Sequence, residues 1–190
     1  MKNNFLAVSL VMACATPLFA MAETPATPAD PIIVQGGTVN FVGKLTNAAC
    51  AVETDSQNQT VKLGDYRTAA FKKIGDSSTP VPFQINLVDC DPNMAENASI
   101  SFYGQQDSES PDLLAVSAGG SNAISATGVG IEIMDSQQLV VIPDGNAFSN
   151  PINLLEGNNT LKFSARYVAT KSEVTAGQAN ASATFNVRYE

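Results

Sequence analysis

ASATFNVRYE, residues 181–190, alternates without a break: Ala183, Phe185, Val187 and Tyr189 share one parity, and Ser182, Thr184, Asn186 and Arg188 share the other. Side chains two apart point to the same face of a pleated strand, so the stretch reads as a strand with one apolar face carrying two aromatics. No further stretch of this sequence follows to close the sheet beside it. The expectation is therefore an unpaired edge over a hydrophobic groove. Proteins normally blunt such edges, because an open apolar edge recruits strands from other chains. Here recruitment is read as the purpose.

A candidate for the recruited strand stands near the other end of the chain, in PIIVQGGTVNFVGKL, residues 31–45. It reads as an extended strand, with Val39, Phe41 and Leu45 on one face and Thr38, Asn40 and Lys44 on the other. Val42 breaks the alternation. Upstream, Ile32, Ile33 and Val34 are apolar on both faces, as in a strand covered on two sides. Gly36 and Gly37 interrupt the run, and paired glycines inside a strand mark a bulge or a close approach of another backbone. Ile33 shares the parity of Val39 and Phe41, whereas Ile32 and Val34 do not, so the register stays open. The plain alternative is that residues 31–45 form the first strand of a complete sandwich.

Residues 1–22 read as a secretory signal peptide: Lys2 supplies a positive start, residues 5–19 are mostly apolar, and Ala20-Met21-Ala22 is a small-x-small cleavage site. A lipoprotein site at Cys14 is the alternative; it would leave apolar residues 18–22 on the mature chain. Cleavage after Ala22 leaves 168 of the 190 residues, enough for one domain with its own core. No later stretch is long enough to span a bilayer. The formal charge moves from −8 to −9, and no Lys or Arg cluster offers a nucleic-acid surface. Cys50 and Cys90 remain in a chain sent to an oxidising compartment, so a disulfide between them is expected. Closing that loop stabilises a fold by about 4 kcal/mol in the chain-entropy account.

Residues 23–30, ETPATPAD, read as a flexible extended leader. Beyond the opening stretch, strands are expected at 60–63, 81–90, 99–103, 129–134, 139–142, 160–169 and the C-terminal stretch, separated by Gly-, Ser-, Asn- and Asp-rich loops. No helical periodicity competes. Such a succession of short strands with a disulfide near its start predicts an all-β sandwich of immunoglobulin type, with a closed barrel as the alternative.

The chain contains no histidine, which excludes Ser-His-Asp and Cys-His catalysis and His-based metal sites. The acidic pairs Asp89/Asp91 and Asp107/Glu109 lie in polar, loop-like sequence and read as solvated charges. Gly119-Gly120 and Gly128-x-Gly130 precede no helix, so a phosphate-cradling loop does not fit. Asn97-Ala98-Ser99 and Asn180-Ala181-Ser182 match a glycosylation pattern short enough to arise by chance. No enzyme, cofactor or metal is expected.

Several segments together resemble the pilins assembled by the chaperone-usher route, and most closely the major subunits of type 1 fimbriae. They are VQGGTVNFVGKLTNAACAV (34–52), QTVKLGDYRTAAF (59–71), PFQINLVDCD (82–91), FSARYVAT (163–170) and ATFNVRYE (183–190). The penultimate Tyr189 and Gly177, fourteenth from the end, belong to that family's C-terminal motif. The resemblance implies an incomplete immunoglobulin-like sandwich, the pilin fold lacking its last strand, with residues 1–22 as signal, 23–41 as an N-terminal donor strand and 42–190 as the pilin domain. It implies a structural subunit of a surface fimbria supporting cell adhesion, exported through the periplasm. Its implied partners are identical or related pilins, a periplasmic chaperone and an outer-membrane usher. Ile33, Gly37, Val39 and Phe41 would act as donor residues, with Gly37 letting two backbones approach; Gly177, Ala183, Phe185, Val187 and Tyr189 would form the acceptor groove and chaperone contact. A minor adaptor or terminator subunit would share these motifs. The Pro-rich leader of residues 23–31 is longer than a type 1 major subunit implies.

Overall fold

Val81–Cys90 alternates as its sequence dictates: Ile85 and Leu87 are fully buried, while Pro82, Gln84 and Asp89 face solvent. This strand, β2, belongs to a computed structural model that describes residues 31–43, 45, 47–120 and 123–190. The expected signal peptide and most of the leader lie outside the described residues. Two units divide at Gly43/Lys44. In the larger, the strands are β1 (Ala51–Val52), β2, β3 (Asn97–Gly104), β4 (Leu114–Ala115), β5 (Val129–Asp135), β6 (Asp144–Phe148), β7 (Ile152–Asn153), β8 (Gly157–Ala169) and β9 (Ala183–Tyr189). One turn of helix, α1 (Thr54–Gln57), follows β1.

One sheet runs β1-β2-β8-β5-β4; the other places β6 and β7 along one side of β3 and β9 along the opposite side. The inner faces of both sheets supply one core. Ile85, Leu87, Leu161, Phe163 and Ile133 come from the first sheet, and Ala98, Ile100 and Phe102 from the second. Phe102 meets Phe163 edge-on at 5.2 Å between ring centres and Phe83 at 6.2 Å, which locks the sheets face to face. The architecture is the immunoglobulin-like sandwich expected from the strand pattern. Cys50 and Cys90 are joined across residues 40 apart, fastening the segment before β1 to the end of β2.

Three expected strands are not formed. Residues 139–142 are a return loop, because the Asp135 carboxylate accepts the N–H groups of Gln137 and Leu139 and folds the chain back onto β5. Only Val140 bridges to Met134, while Val141 is buried as part of the core. Residues 60–63 belong to no strand, and residues 59–66 make no backbone hydrogen bond among the described residues. Residues 31–43 likewise belong to no strand; Ile33, Val39 and Phe41 are 94%, 74% and 92% exposed. In the latter two segments the residues alternate, but no neighbouring strand pairs with them among the described residues.

Candidate functional site

The larger unit carries an open groove of about 1220 Å³ whose floor is its own core: Phe83, Ile85, Phe102, Ile131, Ile133 and Ala165. One wall is the segment from Val174 into β9, including Gly177, Ala183 and Phe185; the other is the lip formed by residues 56–69. An apolar floor left open between two walls is the signature of a sandwich short of a strand.

Both walls present unused backbone. β9 pairs with β3 along its full length, from Ala183↔Gly104 to Ala98↔Tyr189, and its outer side carries no strand among the described residues. The lip is held instead by side chains. Gln59 donates to the Gln84 carbonyl at 3.0 Å, and the Tyr66 ring packs edge-on against Phe71 and Tyr167. At the lip's root, Asn86 donates to the Glu53 carboxylate through Nδ2 and to the Ser56 hydroxyl through its backbone N–H. These anchors leave the peptide groups of residues 59–66 without ladder partners.

The wall before β9 is pinned from behind. Ala126 N–H donates to the Gln178 carbonyl and Gln178 N–H to the Ile124 carbonyl, each at 2.8 Å. Between them Gly177 lies so close to residues 124–126 that a Cβ there would strike Ala126 N and Ser125 C, with Ile124 O at 2.7 Å. Its backbone does not need glycine's left-handed freedom; the missing side chain is what the site requires.

Of the residues expected in the groove, Gly177, Ala183 and Phe185 line it, whereas Val187 and Tyr189 do not. Those two are half-buried against the core, and the Tyr189 hydroxyl donates to the Cys50 carbonyl at 3.2 Å. They lie beyond the groove's lining, where the Tyr189–Cys50 bond ties β9 to the segment before β1. The lip was not singled out as a wall from the sequence; its signal was the parity shared by Val61 and Leu63. No heavy atom lies within 4 Å of a Cβ position at Gly37, so no neighbour in the described chain crowds it, but its φ of +146° is one that L side chains rarely adopt.

Burial raises the Tyr189 hydroxyl above its ordinary pKa of 10.0, and burial followed by the charge of Asp65 and Tyr66 raises Tyr167, whose hydroxyl donates to the Ala179 carbonyl at 2.9 Å. Each hydroxyl fastens a groove wall only while protonated. A pKa raised in the folded state gives a stabilisation fully present below about pH 10 and lost as pH rises through the folded value. Melting temperature is expected to hold level to about pH 10 and then fall, with a shallower fall in a Tyr167→Phe/Tyr189→Phe chain. Equal alkaline slopes for the two proteins would remove the hydroxyls from the account.

Among the described residues no cluster of metal-ligating side chains exists. The profile of the family described as Fimbrial protein matches residues 39–190. The chain is 53% identical over 173 residues to the fimbrial subunit type 1 of Salmonella typhimurium, covering 91% of this chain and 93% of that one. It is 43% identical over 192 residues to the type-1 fimbrial protein A chain of Escherichia coli, covering 100% of both. A chain from a chaperone-usher pilus superposes with a TM-score of 0.65 at 28% identity, over 84% of this chain and 99% of that one. The P pilus rod subunit PapA gives 0.58 at 25% identity, over 75% and 100%. With an open pilin-type sandwich and these relatives, the chain belongs to the fimbrial protein family and is a structural pilus subunit, not an enzyme.

Proposed function

We propose that the subunit polymerises by donor-strand exchange, with residues 23–41 of one copy filling the groove of the next. The observation that carries the reading is a groove bordered on both sides by unpaired backbone, β9 and residues 59–66, in a chain that also exposes Ile33, Val39 and Phe41. An inserted strand gains ladder hydrogen bonds along two edges and buries alternate side chains on the apolar floor. Each bond contributes about 1 kcal/mol net, and each buried aliphatic or aromatic side chain about 2 kcal/mol. Before exchange, a periplasmic chaperone would lend its strand to the same groove, meeting Gly177, Ala183, Phe185, Val187 and Tyr189. The usher at the outer membrane would then admit the next subunit. Relatives described as type 1 fimbrial subunits and a pilus rod subunit favour a repeating rod component over an adaptor or terminator.

A peptide of residues 32–41 tests the reading. Added to a subunit lacking residues 23–41, it is expected to slow amide exchange in β9 and residues 59–66 together and to raise the melting temperature markedly. If those amides are already protected without peptide, the sandwich is complete and donor-strand assembly is wrong. A Gly37→Leu peptide as active as the unaltered one would discard Gly37 as the point of close backbone approach.

A further inference from the structure

From the charges and apolar side chains at the two ends of the domain, we infer a second contact between consecutive subunits: the turn Lys72-Lys73-Ile74-Gly75 of one copy docks on the acidic end of the next. This rests on the strand-donation reading, because that reading fixes which ends meet. At the Tyr189 end a hydrogen bond ties β9 to Cys50 beyond the groove's lining, and the groove extends past Ala183 toward Gly177 and Phe71. A donor strand remains tethered to its own domain through its C-terminal side. Running antiparallel to β9, it leaves the groove at the Gly177 end; running parallel, its tether would have to pass the Tyr189–Cys50 bond. The antiparallel arrangement places the donor's domain over the acceptor's Gly177 end, next to Phe71 and the turn that follows it.

That turn is built and exposed. The Asp76 carboxylate accepts the N–H groups of Lys72 and Lys73 at 2.7 and 2.9 Å, and Gly75 N–H donates to the Ala169 carbonyl. Ile74 is 68% exposed at its tip. Neither lysine takes part in the ion pairs found among the described residues, which use Arg166, Lys171 and Arg188. The donor's domain is entered at Cys50, joined to Cys90, so the end it brings carries Asp89, Asp91, Glu96 and Glu156. All four are exposed, as are Met94 and Leu155 beside them. Two unpaired cations around an exposed isoleucine thus face four acids around two exposed apolar side chains. A contact of this kind orients the incoming subunit and speeds encounter.

Full-length subunits polymerising in low salt, followed by light scattering, test the contact. Lys72→Glu/Lys73→Glu is expected to lower the initial rate about tenfold, and Glu96→Lys/Glu156→Lys to do the same. The chain carrying all four changes is expected to recover, and high salt to erase the differences by screening. Both double variants are expected to take up the peptide of residues 32–41 as the unaltered chain does, showing an intact groove. Unchanged rates in both double variants, or no recovery in the fourfold one, would overturn the contact while leaving strand donation standing. Failure of every chain, unaltered included, to take up the peptide would overturn both.

Discussion

Val39→Asp/Phe41→Asp subunits are expected to form no filaments while melting within a degree or two of the unaltered monomer. Both side chains are exposed in the free chain and belong to no strand, so their removal takes little from the folded domain. In a docked donor strand the same positions would face an apolar floor. Two lost side chains forfeit about 4 kcal/mol of transfer free energy, and two buried carboxylates without partners add several more. The sum exceeds what a strand's remaining ladder bonds supply. Electron microscopy for filaments and calorimetry on the monomer separate the effects. Normal filaments from this variant would mean that the groove is filled by something else.

Gly177→Ala is expected to have the second largest effect, of the opposite kind: the subunit itself is lost. A methyl group there meets peptide atoms of residues 124–126, not the far end of a flexible side chain. Backbone can yield only by moving the wall away, and that breaks the Ala126–Gln178 and Gln178–Ile124 hydrogen bonds. Overpacking together with two lost backbone hydrogen bonds amounts to about 3 to 5 kcal/mol, a large part of a small domain's total stability. Periplasmic yield and the urea midpoint of the purified chain give the measurement. A midpoint shift under about 1 kcal/mol equivalent would show that the wall is softer than its contacts imply.

These two glycine and donor-strand cases show where sequence alone could and could not reach. Strands β2, β8 and β9 were legible because each has one buried and one solvated face, which writes a period of two into the residues. β1, β4 and β7 are two residues long, too short to carry any period. β6 begins Asp144-Gly145-Asn146, which reads as a turn. The apolar 139–142 run is a return loop with Val141 alone buried and Leu139 exposed, and a short apolar run does not by itself tell a strand from such a loop. The alternation in 31–45 and 60–63 predicts strands, yet residues 31–43 and 60–63 belong to none, since a ladder needs two members and no neighbour pairs with them among the described residues. The alternation of β9 marks its apolar face but not which of its edges is paired, and the structure pairs one edge with β3 and leaves the other without a strand among the described residues. The role of Gly177 as a spacer against residues 124–126 was not legible, because the 124–126 segment lies some fifty positions away and nothing in either stretch points to the other.

The groove's two flanking edges bear on how a fibre of such subunits would carry load. A strand seated between β9 and residues 59–66, and pulled along its own axis by the next subunit, would strain the bonds on both sides in shear. Bonds sheared together fail together, whereas bonds peeled from one end fail in turn. Residues 31–43 carry no cysteine, so the link between domains would be non-covalent. A joint of this geometry would nonetheless be toughest along the fibre, the direction in which a tethered cell is dragged by flow.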